Sequence, residues 1–368
     1  MSIPFIDLKS QYLALKPQIQ ERIERVLEHG QYIMGPEVSE LEGRLAHYTG
    51  ANHCITVASG TEALLISLMA LGIGVGDEVI TTPFTFVATA EVIALLGARP
   101  IFVDIRPDTC NINPDKIAEA ITPRTKAIMP VSLYGQPADM DEINSIAERH
   151  GNVPVIEDGA QSFGATYKNR KSCNLSLIGC TSFFPSKPLG CYGDGGAIFT
   201  SDDSVAALCR EIRVHGQRER YVHERIGVGG RMDTIQCAVV LGKLDRFDWE
   251  IQQRVRLGQL YVETIHERCS NKIEFIKVAA DRQSVWAQFT VKVENRELIQ
   301  SRLKEAGIPT AVHYPKPLHL QQPYTQKSRR GLPESERVAA RVLSLPMSPD
   351  LKDSDLIKIV DELSRAVI

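Results

Sequence analysis

The 368-residue sequence has no apolar run approaching the roughly 18 residues that a membrane-spanning helix needs, so no membrane partner is expected. It opens MSIPFIDLKSQY, without a basic start leading into an apolar core, and no signal peptide is expected. There is no excess of positive charge. The 42 Lys and Arg face 45 Asp and Glu, a net charge of −3, which speaks against nucleic acid as a partner. The eight cysteines form no CxxC pair and the nine histidines show no HExxH spacing, so no metal site is expected. Cys54, Cys180 and Cys237 fall inside apparent strands or helices, which fits reduced, buried thiols in a cytoplasm. No internal repeat and no low-complexity tract interrupts the chain. What remains is an ordinary soluble composition, 43% hydrophobic and 24% charged, in a length suited to two domains.

The pattern that is present is an alternation. Pro17 to His29 reads as a helix stopped by Gly30, and a second helix starts at Pro36 and ends before Gly50. Strands then follow at His53 to Ala58, Glu78 to Thr81, Pro100 to Ile105, Lys126 to Val131 and Val153 to Glu157. Helical stretches separate them at Thr61 to Leu71, Phe86 to Leu96, Pro114 to Ile121 and Met140 to His150. Near-continuous apolar strands alternating with amphipathic helices predict an α/β fold with a large, mostly parallel sheet covered on both faces. Beyond Ser204 to Val214, two helices are expected, Asp233 to about Phe247 and Trp249 to about Glu267. A small C-terminal α+β unit follows, with strands Ile273 to Val278 and Val285 to Val293, helix Arg296 to Ala306 and terminal helix Ser354 to Ala366. Tyr314 to Pro333 reads mostly as loop. The domain boundary is placed near 248, giving a large unit of residues 1–248 and a small one of 249–368.

Ligands in parallel sheets gather at the carboxyl ends of the strands, and four such ends carry chemistry here. Ser59-Gly60-Thr61-Glu62 is a small-residue turn opening a helix, a seat for a phosphate or simply an N-cap. Thr85-Phe86-Val87-Ala88-Thr89 puts an aromatic at a helix start, where it stacks on a flat ring or packs in the core. Glu157-Asp158-Gly159-Ala160-Gln161 ends a buried strand in carboxylates, which need a cation, a salt bridge or a cap. The fourth is Ser182 followed by Phe183-Phe184-Pro185-Ser186-Lys187-Pro188-Leu189-Gly190. The prolines and glycine forbid regular structure around Lys187, and desolvation there would lower its pKa and make it a nucleophile toward a carbonyl. A lone loop lysine more often reaches out to water. Phosphate seat, aromatic plate, carboxylate and desolvated lysine together are the four requirements of pyridoxal phosphate.

The runs SFFPSKPLGCYGDGGAI, EDGAQSFGA, ASGTEAL, PFTFVAT, GRMDTIQ and AVHYPKPLH resemble the DegT/StrS family of pyridoxal phosphate-dependent nucleotide-sugar aminotransferases, in the family's order and over nearly the whole chain. The resemblance implies fold type I, the aspartate aminotransferase architecture, and a homodimer with shared active sites. It implies that Lys187 holds the cofactor covalently and moves the proton, Asp158 pairs with the ring nitrogen and Gln161 lies near the ring. Gly60, Thr61 and Ser182 would hold the phosphate and Phe86 would stack on the ring. Gly30, Tyr32, Ser186, Arg231, His313 and Tyr314 would meet the sugar nucleotide, some from the partner subunit. Gly229 stands where the family usually has Asn, reaching the cofactor phosphate across the dimer. Implied substrates are a UDP-linked keto sugar and glutamate, with amination at C3 or C4 left open. A 4-keto-6-deoxy sugar and a non-catalytic, cofactor-binding regulator are the alternatives. A dehydratase of the family would carry His in place of Lys187. Gly72-Ile73-Gly74-Val75-Gly76 follows a helix and lacks the dinucleotide-binding fingerprint.

Overall fold

A computed structural model describes residues 3–269, 272–325 and 331–367. Five strands come first: β1 (His53–Val57), β2 (Glu78–Thr81), β3 (Arg99–Phe102), β4 (Thr125–Met129) and β5 (Ile156–Asp158). A small hairpin of β6 (Thr166–Tyr167) and β7 (Arg170–Lys171) precedes β8 (Ile178–Ser182) and β9 (Gly196–Thr200). The central sheet runs β3-β2-β4-β5-β8-β9-β1, with β4 and β5 joined by parallel bridges at Ile128–Val155 and Val131–Asp158. Only β9 runs against its neighbours, β8 and β1. The sheet is therefore mostly parallel, as expected, with one reversed strand. Its strands are buried almost throughout, which is why they read as unbroken apolar runs.

The helices packed on this sheet include α1 (Leu8–His29), α2 (Pro36–Thr49), α3 (Gly60–Ala70), α4 (Ala88–Leu95), α5 (Ile117–Ala120), α6 (Met140–Arg149) and α7 (Asp203–Arg213). Helix α1 starts nine residues before the Pro17 start read from sequence. Asp7 caps it, accepting from Ser10 N at 2.9 Å, and Pro17 lies inside it. Gln11, Leu15, Ile19 and Val26 form one buried stripe, and that burial offsets the hydrogen bond lost at the proline. The expected helix over Phe86 to Leu96 begins instead at Ala88, with Phe86 left outside it.

A second correction concerns the two helices expected on either side of residue 248. They are one helix, α8 (Thr234–Arg268), 35 residues and so about 52 Å long. No proline or turn signal interrupts it. Its first half, through Cys237, Val240, Leu241, Phe247 and Ile251, packs into the core shared with α1 and α2. At Gly242 an added Cβ would lie 3.0 Å from Ile19 Cγ1, so the two helices touch there. Its second half, through Leu257, Tyr261 and Ile265, fills a separate core with the C-terminal residues. A helix spanning two cores couples them.

Between α7 and α8 lies an exposed hairpin of β10 (Gln217–Glu219) and β11 (Val222–His223). The C-terminal unit carries β12 (Glu274–Phe275), β13 (Arg282–Gln283), β14 (Phe289–Lys292), α9 (Arg296–Glu305), α10 (Pro333–Arg341), β15 (Val342–Leu345) and α11 (Asp353–Ala366). Its sheet runs β12-β14-β15, while β13 joins the β6–β7 hairpin. The strands expected over Ile273 to Val278 and Val285 to Val293 are both shorter. Trp286 has φ 45, a left-handed backbone that stops the second strand from starting before Phe289. Of the stretch read as loop, residues 314–325 hold one short turn, Leu318–Leu320, and residues 326–330 lie outside the described residues. Helix α10 and strand β15 were not expected. Asp104 holds the start of α10, accepting from Ser335 N at 2.9 Å and Glu334 N at 3.0 Å.

Among the described residues no helix is long and apolar enough to cross a membrane, and no group of three or more His, Cys, Asp or Glu could hold a metal ion. All eight cysteines are buried and free.

Candidate active site

The parallel strands end at one edge of the sheet, and the reversed strand β9 begins there. Gly196, its first residue, pairs with Val57 of β1 on one side and Ser182 of β8 on the other. That register brings the turn after β1 beside the end of β8. A Cβ on Gly196 would fall 2.6 Å from the carbonyl carbon of Ser59, and one on Gly60 would fall 2.6 Å from Ser182 Cβ. Glycine is therefore required at both positions for the loops to approach this closely. Ser59 Oγ caps α3, accepting from Glu62 N at 3.1 Å. The N-cap reading holds for the serine side chain. The N–H groups of Gly60 and Thr61 lie ahead of the first intrahelical acceptors and share the positive end of the helix, beside the Ser182 hydroxyl. A small anion fits this cradle.

Asp158 ends β5 and is 6% exposed. Its Oδ2 accepts from Thr89 Oγ1 at 2.9 Å and its Oδ1 from Ala160 N at 3.2 Å. Thr85 Oγ1 lies 3.1 Å from Thr89 Oγ1 and continues the chain of hydroxyls. Lys187 sits in a turn whose N–H donates to Phe184 O at 2.9 Å, and Cys191 N closes the loop on Phe183 O at 2.7 Å. Burial lowers the Lys187 pKa, with the nearby Asp158 charge acting against it, and burial raises the Asp158 carboxyl. Both shifts favour the neutral forms. A neutral amine is what attack on a carbonyl requires.

Gln161 follows on the same turn. Its Oε1 accepts from Tyr134 N at 2.8 Å and its Nε2 donates to Tyr314 OH at 3.1 Å. Tyr134 OH donates in turn to the His313 carbonyl. These bonds tie the His313–Tyr314 segment of the C-terminal unit to the sheet edge. His313 is held well below its ordinary pKa, to about 4, by burial and then by the Lys187 charge. Burial also raises the Tyr314 hydroxyl, so both groups are neutral near pH 7. Phe86 is 53% exposed and its ring centroid lies 6.2 Å from that of Tyr314. It is not packed in the core, which was one of its two sequence readings. Ser186 is partly buried beside Lys187.

The remaining sequence-predicted residues collect at the start of α8, where Gly230 O accepts from Ala58 N at 2.9 Å, beside the Ser59–Gly60 turn. Gly30 ends α1 with φ 69, Tyr32 O accepts from Thr234 N at 3.0 Å, and Ile33 bridges to Asp233. Arg231 and Gly229 are adjacent, with an added Gly229 Cβ falling 3.8 Å from an Arg231 terminal nitrogen. Among the described residues none of the hydrogen bonds of this second cluster reaches Lys187, Asp158 or Gln161. Thr89 and Tyr134 were not singled out from sequence. Thr89 lay inside the quoted PFTFVAT run, whereas nothing local marks Tyr134.

An anion cradle, an exposed aromatic, a buried carboxylate and a desolvated lysine on one edge of a seven-stranded sheet define a pyridoxal phosphate-dependent aminotransferase of fold type I. The residues present fit that cofactor: glycine at 60 and 196 leaves the N–H groups at the start of α3 close beside Ser182, and the Asp158 and Lys187 charges act on each other. The chain belongs to the DegT/DnrJ/EryC1/StrS aminotransferase family, whose profile matches residues 14–364. It is 56% identical to the UDP-2-acetamido-2-deoxy-3-oxo-D-glucuronate aminotransferase of Pseudomonas aeruginosa, over 97% of this chain and 98% of that one. It is 43% identical to a pleiotropic regulatory protein of Geobacillus stearothermophilus, over 99% and 98%. Among solved structures it resembles NtdA of Bacillus subtilis with bound cofactor PMP, with a TM-score of 0.91 at 33% identity over 99% of this chain and 85% of that one.

Proposed function

We propose that this aminotransferase transfers nitrogen from glutamate to C3 of UDP-2-acetamido-2-deoxy-3-oxo-D-glucuronate, in the cytoplasm, for O-antigen or another surface polysaccharide. The observation that carries the reading is the 56% identity over 97% of the chain to an enzyme named for that substrate. Arg231, partly buried, could bind a substrate carboxylate in bidentate fashion, although enzymes acting on neutral sugars also carry arginine there.

In this reading Lys187 anchors the cofactor and is the base and then the acid that moves the proton. Asp158 pairs with the ring nitrogen. Gly60, Thr61 and Ser182 hold the phosphate, Phe86 stacks on the ring and Gln161 lies beside it. Bound pyridoxal phosphate supplies an electron sink for the carbanion. The protein must place a neutral lysine, a carboxylate and the substrate around it. Ser186, His313 and Tyr314 meet the sugar nucleotide on this face. Gly30, Tyr32, Gly229 and Arg231, grouped at the start of α8, serve the site of a second copy in a homodimer. Residues 1–248 form the cofactor-binding unit and 249–368 the smaller one. The 43% identity to a protein named as a regulator favours a second reading, cofactor binding without turnover.

The test is incubation of the cofactor-loaded enzyme with glutamate and a panel of UDP- and dTDP-linked keto sugars, with products read by NMR. The expected product carries nitrogen at C3 of the UDP uronate, with 2-oxoglutarate formed in equal amount. Nitrogen at C4, or preference for a 6-deoxy sugar, refutes the substrate. Absence of turnover together with a silent glutamate half-reaction favours the regulator.

A further inference from the structure

The Lys187 charge acts on the His313 imidazole, whose Nδ1 is engaged by a hydroxyl. Its Nδ1 lies 3.0 Å from Ser344 Oγ, and Ser344 Oγ lies 2.9 Å from Thr290 Oγ1. The three side chains share one face of a small sheet by register. Thr290 of β14 pairs with Ser344 of β15, and Ser344 bridges to Ala311 on the other side. His313 stands two residues beyond Ala311, so it is the diagonal neighbour of Ser344 on the same face. Ser344 is 0% exposed and Thr290 2%. The line of atoms runs from a buried threonine through a buried serine to His313 Nδ1.

Counting hydrogens decides the direction of that line. Among the described residues Ser344 Oγ is the only hydrogen-bond partner of the Thr290 hydroxyl. If Thr290 donates to Ser344 and Ser344 donates to His313 Nδ1, both hydroxyl hydrogens are used. Nδ1 is then an acceptor, and the ring proton sits on Nε2. If instead Nδ1 carries the proton and donates to Ser344, one buried hydroxyl hydrogen is left without an acceptor. An unmade hydrogen bond of that kind is costly. A doubly protonated ring meets the same obstacle.

We propose that Thr290 and Ser344 are positioning residues, a hydroxyl relay that fixes His313 as the neutral Nε2–H tautomer and so presents a hydrogen-bond donor, without a second positive charge, toward the amino-accepting keto sugar. The inference rests on the reading that His313 faces that sugar. Its ligand chemistry is an oxygen acceptor, the carbonyl or a hydroxyl of the substrate. A cationic imidazole there would repel a protonated Lys187, whereas a neutral donor leaves the lysine's charge to follow the reaction.

The test is 15N NMR of histidine-labelled, cofactor-loaded enzyme at pH 7, with the His313 signals assigned by their loss in His313→Gln. The expected pattern is a proton-bearing Nε2 and a hydrogen-bonded, proton-free Nδ1. In Ser344→Ala the Nδ1 signal should move to that of an unbonded ring nitrogen while the other histidines stay in place, and Ser344→Thr should restore it. The kcat/KM for the keto sugar should fall about tenfold in Ser344→Ala and recover in Ser344→Thr. Should Ser344→Ala fail to fold, Thr290→Val provides the same reading with a smaller shift in the same direction. A proton on Nδ1 in the parent, or His313 signals indifferent to the substitutions, overturns the relay. A moved signal with unchanged kcat/KM overturns its role toward the sugar. Failure of the parent to turn over any keto sugar would refute the substrate reading and leave the tautomer result standing.

Discussion

The Thr89 hydroxyl donates to Asp158 Oδ2 at 2.9 Å, and this bond fixes the carboxylate at the end of β5. It stabilises the ionised form against a burial that raises the carboxyl pKa. Thr89→Val should therefore keep the fold and push the Asp158 carboxyl further up. A hydrogen bond to a charged group is worth roughly 1.5–3 kcal/mol, so kcat should fall by about tenfold or more. Thr89→Ser should retain most of the rate. A pH–rate profile of Thr89→Val with its acidic limb unmoved would remove Thr89 from the machinery.

Asp158→Asn should fold and take up cofactor yet lose most of kcat. In the proposed role the carboxylate keeps the ring nitrogen protonated, and that proton stabilises the negative charge developing in the transition state, so the loss belongs to kcat. Steady-state kinetics of the cofactor-saturated variant distinguish this from a rise in KM alone, which would contradict the role.

Gly229 has an extended backbone, bridged to Val214, rather than a left-handed one, so Asn is compatible with its conformation. An added Cβ would lie 3.1 Å from His215 Cε1, and that exposed ring has room to give the few tenths of an ångström needed. In the proposed homodimer, Gly229→Asn should add an amide donor at the partner's cofactor phosphate and tighten pyridoxamine phosphate binding by about tenfold. Titration of the cofactor-free variant and parent side by side measures it. Equal affinities would mean that another group already serves the phosphate.

Lys243 is 1% exposed in α8, with its Nζ lacking a hydrogen-bond partner and 4.3 Å from the centroid of the Tyr192 ring. Burial lowers its pKa to about 8, against the pull of Glu250. The cost of burying the charge is present in full below about pH 8, where folded and unfolded chains both hold the proton. It is relieved as pH rises toward the unfolded value of about 10.4. Lys243→Met should stabilise the protein at pH 7 by about 1–2 kcal/mol, after allowing for the lost ring contact. The gain should shrink by pH 10. Denaturant melts at the two pH values check it, and a destabilised variant at pH 7 would contradict it.

How much could be read from sequence follows from what is local. Strands β1 to β5 and the helices between them were legible because buried parallel strands are apolar throughout. The reversal of β9 was not, since direction is set by its pairing with Val57 and Ser182. The single helix α8 was missed because its two halves bury different apolar faces in two cores, which reads as two helices. Lys187, Asp158, Gln161 and Ser182 stand at strand ends with their own turn chemistry, and the fold brings them together. Thr89, Thr290 and Ser344 are ordinary strand and helix residues in sequence, and Tyr134 lies in a short turn with φ 58 that no sequence signal marked. Their places in the site come from contacts such as that of Thr89 with Asp158, 69 positions away.

The central claim is that Lys187 is the lysine that holds the cofactor covalently. It is tested most directly by reducing the cofactor-loaded enzyme with borohydride, digesting it and mapping the modified peptide by mass spectrometry. The reduction should convert the lysine–cofactor link to a stable amine on Lys187, within Ser182 to Gly193, and Lys187→Ala should lose both the tag and the visible absorption of the bound cofactor. A tag on another lysine, Lys243 or Lys171 for example, or unchanged turnover by Lys187→Ala, would contradict the account.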